Sequence, residues 1–289
     1  MNRQRVNNIG VLVEERVRRE EETPLGDYAV SHLLGGIAVA ADRVGARFTV
    51  QIYRPGMDEQ LVFGWLENRE IDGLIYYGFG MPPAWLTRFR TENYPVVGVS
   101  IDPAQGVPCV NVDNFGAMRG LTDHLLRRGR RRMLFLHGNP ESYPDRERFR
   151  GFRAALEAAG IVWNRDNEEI ADFDTVMAEQ TVLRRFAAGC AFDAVICASD
   201  DMALGVLSAL RKLGLDVPGQ VAVTGADDTR TGRFVTPALT TFDYRTEQQG
   251  QAAFELLSRC IAAPATPPEN PVLPTIPIFR ASSDCPLRP

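Results

Sequence analysis

Histidine is scarce in this 289-residue sequence. Its three copies, His32, His124 and His137, lie far apart and form neither an HxH nor an HExxH pattern, so no familiar zinc site is written here. The five cysteines include no CxxC pair, which argues against a zinc ribbon or a disulfide framework and predicts free thiols in a reducing cytosol. A long apolar run is missing as well. The opening MNRQRVNNIGVLVEE reaches only a handful of apolar residues before charge intervenes, which predicts neither a secretory leader nor a membrane span. Positive charge is not in excess: 32 Lys and Arg stand against 37 Asp and Glu, a formal net charge of −5. Outside Arg127–Arg132 there is no basic arm, so these residues are not expected to grip nucleic acid or an anionic membrane. The usual catalytic signatures are also absent, with no GxSxG elbow, no P-loop and no GxGxxG opening a helix after a strand.

What the sequence does contain is apolar mass and alternation. Hydrophobic residues make up 45% of the chain, and its length exceeds what one compact core usually holds, which favours two lobes. IGVLV (9–13), FTVQIY (48–53), DGLIYY (72–77), PVVGVS (95–100) and CVNV (109–112) read as strands. Between them, 27–45 carries apolar residues at helical spacing, and 58–68, 82–92 and 115–128 repeat that rhythm more weakly. A second series follows: strand 131–138, helix 145–159, a strand around Ile170, helix 174–188, strand 192–199, helix 200–213 and strand 220–226. Such alternation predicts an α/β chain with two doubly wound parallel sheets, each presenting its ligand edge at the strand C-termini. The inserted run VRREEETPLG (17–26) is either a solvated excursion or a lid. Prolines keep 263–277 from continuing a helix.

Two polar clusters fall at predicted strand ends. In CASDDMALG, Ser199 or Asp200 stands at a helix N-cap, and capping accounts for one of the two adjacent carboxylates. Paired catalysis with Asp227 and Asp228 of GADD lacks any partner group. In YPDRERFRGF (143–152), Arg146, Arg148 and Arg150 enter the first turn of a helix, against its dipole. Arg146 and Arg150 reach solvent or the neighbouring Asp145 and Glu147. Arg148 is expected to face Asp227 across the strand ends, where a guanidinium fork opposite a carboxylate makes a clamp for a small polar ligand.

The runs IGVLV, VPCVNVDNFGAMRGLTDHLLRRGRRRMLFLHG, DRERFRGFRAAL, ASDDMALGVLSALRKLGLDVPGQVAVTGADD and TPALTTFDY together resemble the effector-binding core of the lac-repressor (LacI/GalR) family of bacterial transcription regulators, from Ile9 to about Ser283. The resemblance implies a type I periplasmic-binding-protein fold, with two Rossmann-like lobes of parallel sheet joined by three crossovers and the ligand in the cleft. It divides the chain into a linker remnant (1–8), a first lobe (9–112 with 244–266) and a second lobe (113–243 with 267–289). It also carries ligand contacts over to Arg148, Asp227, Ser199 and Tyr28, and a stacking role to Phe173. Phe173 reads equally as core packing, and Asp113 of the VDN motif reads equally as a helix cap and a ligand contact. Where the family has GHRR this chain has GRRR, Gly129–Arg132, from which only a surface effect of Arg130 is expected.

The function implied is that of a cytoplasmic ligand sensor with no reaction of its own, binding a sugar or similar small polar effector. It needs no cofactor and no metal. Homodimerisation is expected through the 27–45, 58–68 and 82–92 segments, and operator DNA is a partner only through an N-terminal helix-turn-helix absent from this chain. The alternative is a periplasmic sugar-binding protein serving a transporter, which shares the fold.

Overall fold

A computed structural model describes residues 6–15, 28–54, 56–264 and 269–284. The 17–26 insertion lies outside the described residues. The chain forms two compact units, Met1–Val112 with Arg245–Leu273, and Asp113–Tyr244 with Pro274–Pro289, so it passes from one to the other three times.

In the first unit, β1 (Asn8–Glu14), β2 (Arg47–Tyr53), β3 (Leu74–Tyr77), β4 (Val96–Val99), β5 (Cys109–Val112) and β11 (Val272–Leu273) form a parallel sheet in the order β11-β5-β4-β3-β1-β2. Strand residues alternate between two apolar layers. Val11 and Val13 join Leu33, Ile37, Phe254 and Leu257 from α1 (Tyr28–Asp42) and α9 (Thr246–Ala262). Leu12, Leu74 and Tyr76 instead join Val62, Phe63, Trp85 and Phe89 from α2 (Gln60–Glu67) and α3 (Pro83–Thr91). A sheet covered on both faces explains why its strands read as unbroken apolar runs.

The sequence reading names no element between 244 and the Pro-rich run, yet α9 fills it and packs closely on α1. A Cβ built on Gly250 would stand 2.2 Å from the Leu33 carbonyl oxygen. The last passage between units also falls later than expected. Val272 and Leu273 pair with Asn111 and Val112, and Cys109 N donates to Asn270 Oδ1 at 2.9 Å. Residues 269–273 therefore belong to the first unit rather than the second.

The second unit is built from α4 (Asn114–Arg127), β6 (Met133–His137), α5 (Tyr143–Ala158), β7 (Glu168–Ile170), α6 (Thr175–Ala187), β8 (Ala194–Cys197), α7 (Asp200–Lys212), β9 (Ala222–Thr224) and the short α8 (Arg230–Phe234). Its parallel sheet runs β7-β6-β8-β9, and β10 (Thr241–Asp243) pairs antiparallel with β12 (Ile276–Ile278). Leu134, Leu136, Val195 and Val223 face α6 and α7. Phe135 faces the other way, onto Phe149 and Phe152 of α5.

Arg130 does more than the surface effect expected of it. Its guanidinium donates to the carbonyl oxygens of Pro218, Gly219 (3.4 Å) and Gln220 (3.1 Å), tying the end of α4 to the turn before β9.

Helix α5 carries Asp145, Arg146, Arg148 and Arg150, and its position is set where Gly151 meets α4. A Cβ there would lie 2.2 Å from the Phe115 carbonyl oxygen, whereas Gly120 on the same α4 has open space around it. Gly151→Ala is therefore expected to destabilise the protein by about 1–2 kcal/mol, since the overpacking cost exceeds the gain in helix propensity. Gly120→Ala should stabilise it by up to about 1 kcal/mol. Urea unfolding midpoints of the two variants, expected on opposite sides of the wild type, check the packing.

Candidate functional site

The polar residues singled out in the sequence fall mostly in the second unit, at the carboxyl ends of its strands. Arg148 is 3% exposed, which for an arginine demands partners on every side. Its Nε donates to Asn114 Oδ1 at 2.8 Å and its Nη1 to the Ala198 carbonyl oxygen just past β8. Its guanidinium lies over the rings of Tyr244 and Phe242, 4.7 and 5.4 Å from their centroids. Nη2 is 4.0 Å from Asp227 Oδ1. The structure thus brings Arg148 and Asp227 together as the spacing predicts. The dipole penalty is smaller than expected, because Ser142 caps α5 and the helix starts at Tyr143, which leaves Arg148 in the second turn behind Asp145.

Asp227 and Asp228 have φ of +118° and +55°, the left-handed side of the backbone map that non-glycine residues seldom adopt. The turn is held by its surroundings. Asp227 N donates to the Phe242 carbonyl oxygen at 3.0 Å, and Asp228 takes Arg233 and Arg280 on its two carboxylate oxygens, each at 2.6 Å. This conformation leaves the Asp227 carboxylate on the Arg148 side, partly exposed.

The adjacent carboxylates of α7 separate cleanly. Ser199 supplies the cap, its Oγ accepting from Met202 N at 3.3 Å. Asp201 is exposed. Asp200 neither caps nor meets solvent: it is fully buried and accepts from Thr241 Oγ1 (2.7 Å), Thr229 N (2.7 Å) and Thr229 Oγ1 (3.1 Å). Burial pushes its carboxyl up to about 7, although the three hydrogen bonds pull it back toward the ordinary value.

Phe173, at φ +55°, lays its half-buried ring across Gly138 just after β6, where any Cβ would meet the ring at 2.1 Å. It also packs against the apolar layer of α6 and α7. Asp113 caps α4, with Oδ1 accepting from Gly116 N at 2.7 Å. Tyr28 belongs to the first unit, where its ring lies against His32, tilted by 35° with centroids 3.9 Å apart. Asp145 is not the surface partner expected for Arg146 or Arg150. It is buried, accepts from Gly138 N at 2.9 Å and holds His137 Nδ1 at 2.6 Å. Arg146 turns instead to the Glu141 carbonyl oxygen at 2.6 Å, and Arg150 pairs with Glu147.

In the first unit the sequence reading overlooks Glu14, at the carboxyl end of β1. Its Oε2 accepts from Tyr76 Oη at 2.8 Å and from Phe79 N at 2.6 Å. A charge closing a buried apolar strand was the available signal. Among the described residues no group of three or more His, Cys, Asp or Glu is placed to hold a metal ion. No described helix is long and apolar enough to cross a membrane.

Residues 122–283 match the family described as the periplasmic binding protein-like domain, to which the chain belongs. Within that class it is a LacI/GalR-type transcriptional regulator chain, comprising the effector-binding part. It is 29% identical over 286 residues to the HTH-type transcriptional regulator CelR of Thermobifida fusca, covering 96% of this chain and 82% of that protein. It is 34% identical over 229 residues to the HTH-type transcriptional repressor PurR of Pectobacterium atrosepticum, covering 77% of this chain and 67% of that one. The solved structure of a CelR–cellobiose complex superposes with a TM-score of 0.86 at 26% identity, covering 96% of this chain and 85% of that chain.

A folded-state pKa raised from 3.8 to about 7 means that the folded protein binds the Asp200 proton more tightly than the unfolded chain does. The stability this contributes is complete below the lower value and is lost as pH rises toward the upper. Asp200→Asn cannot ionise, so the stability of wild type relative to this variant should fall by roughly 1 kcal/mol per pH unit between about pH 4 and 7. Urea titrations at several pH values measure it, and parallel slopes for the two proteins would refute the assignment.

Proposed function

We propose that the effector is a sugar or a closely related polyhydroxylated molecule, recognised at the carboxyl edge of the second unit's sheet by Arg148 and Asp227. The observation that carries this reading is the pairing of a fully buried, sterically fixed guanidinium with a partly exposed carboxylate 4.0 Å away. A hydroxyl is both donor and acceptor, so neighbouring hydroxyls of one ring can accept from Arg148 and donate to Asp227 at once. Phe173, Ser199, Tyr28 and Asp113 complete the proposed contact set; Asp113 and Ser199 are already engaged as helix caps, so their contribution is the smaller. The relative of known complex binds cellobiose, which supports a saccharide over other polar ligands.

The protein acts as a sensor and catalyses no reaction. The relatives are transcriptional regulators named for a helix-turn-helix, and in this reading the sensor works in the cytoplasm as a homodimer whose operator contacts come from such a head. A transporter-linked sugar-binding protein is the second reading, and the regulator relatives favour the first. The coding sequence upstream discriminates between them: a helix-turn-helix supports the regulator and a hydrophobic leader the transporter component.

A thermal-shift screen over mono- and disaccharides, sugar acids and polyols is expected to return at least one ligand that raises the melting temperature. Asp227→Asn keeps the left-handed turn that asparagine tolerates, but removes the charge. It should weaken that ligand at least tenfold, by about 1.5–3 kcal/mol, with the fold intact. Unchanged affinity in Asp227→Asn, and in Arg148→Lys as an independent probe, would refute the clamp.

A further inference from the structure

The effector reading leaves unused a cavity of about 510 Å³ on the α5 face of the second unit's sheet, beside the edge strand β7. Its floor is His137, the last residue of β6, whose side chain is 8% exposed. Asp145 fixes this ring: it is buried, anchored by Gly138 N, and accepts from Nδ1 at 2.6 Å. A carboxylate on Nδ1 directs a proton to that nitrogen, so in the neutral ring Nε2 is the acceptor. Nε2 makes no hydrogen bond among the described residues, and the nearest polar atom facing it is Glu168 Oε2 at 3.8 Å. Glu168 is oriented in the same way, since Trp163 Nε1 donates to its Oε1. Oε2 accepts no hydrogen bond among the described residues. Two acceptors, each aimed by a partner on its far side, thus stand together in the cavity.

We propose that this cavity binds a small organic ammonium ion, at a second site apart from the effector clamp. One nitrogen about 2.8 Å from each acceptor bridges a 3.8 Å gap, and an ammonium group has the donors for both, whereas a hydroxyl has only one. Charge agrees: Asp145 and Glu168 place two carboxylates around one imidazole. Arg146, the cation in the lining, spends Nη1 on the Glu141 carbonyl oxygen and lies toward the Tyr143 ring. Phe149 and Ile170 supply an aromatic and an aliphatic wall for an apolar body. The volume lies within the roughly 300–1,000 Å³ usual for small-molecule pockets and far exceeds what a bare ion needs.

The test uses benzylamine as probe and benzyl alcohol as its neutral analogue. Binding is followed by calorimetry and by the ¹⁹F resonance of 5-fluorotryptophan at position 163, assigned with Trp163→Phe. Saturable binding of benzylamine, at least tenfold tighter than the alcohol, is expected. Glu168→Gln, which keeps an acceptor for Trp163, should lower the affinity at least tenfold, and Ile170→Trp, at a half-exposed position, should block the cavity. The same benzylamine affinity in Asp227→Asn as in wild type would separate this site from the effector clamp. Equal affinity for amine and alcohol, an amine response untouched by both cavity variants, or no response at all would overturn the proposal. So would a response to Zn²⁺ without one to the amine, which would make the His137–Glu168 pair a metal site.

Discussion

The second unit depends on a single carboxylate shut away from solvent. Asp200 gathers the backbone of Thr229, the hydroxyls of Thr229 and Thr241, and through its own N–H the carbonyl oxygen of Ala226 at 2.7 Å. Those contacts tie the start of α7 to both sides of the left-handed turn at Asp227 and Asp228 and to β10. A turn of two non-glycine residues at positive φ costs on the order of 1–3 kcal/mol per residue, and such a conformation persists only where its surroundings over-determine it. Asp200 supplies that determination from below, and Arg233 and Arg280 on Asp228 supply it from outside. Capping alone, the natural sequence reading of an acidic pair at a helix start, would have been a weaker role than the one observed.

Above that turn, Arg148 presents the opposite problem. Removing a guanidinium from water costs several kcal/mol unless its donors are met. Here the Ala198 carbonyl oxygen, Asn114 and two aromatic rings meet most of the demand, while the Asp227 carboxylate stands 4.0 Å from Nη2, beyond hydrogen-bonding distance. A cation this deeply buried would not fold unsupported, and here it is preset, with an anion held near it by a strained turn. This suits discrimination among small polar molecules, because the groups need not reorganise to bind.

How much of this was legible follows from the kind of interaction. Alternating periods of two and 3.6 located the strands and helices of both sheets, because burial on both faces forces near-continuous apolar strands. Arg148 and Asp227 were legible because each sits at a strand end or helix start that the pattern had already placed. The rest depends on contacts without a local signature. The packing of α9 on α1 needs Gly250 against the Leu33 carbonyl more than 200 residues earlier, and Arg130 recognises three backbone carbonyls almost ninety residues away. Asp145 looked like a surface charge beside two arginines. Its burial is decided by where β6 ends, since Gly138 N and His137 Nδ1 are the donors that hold it.

Asp145 and Arg148 stand one turn apart on the same face of α5, with Cβ atoms about 5–6 Å apart by helix geometry. Both are buried and of opposite charge, and both are fixed by groups at the ends of β6 and β8. Two polar regions of the second unit, one around Asp227 and the other around His137, are therefore positioned by a single rigid element, and α4 sets that element's height at Gly151. A displacement of α5 large enough to loosen either charge would have to break the contact at Gly151 and disturb the other charge as well. Close packing at a glycine leaves such a helix few intermediate positions. The precision of the Arg148 guanidinium is in this sense a property of the α4–α5 contact as much as of its own hydrogen bonds.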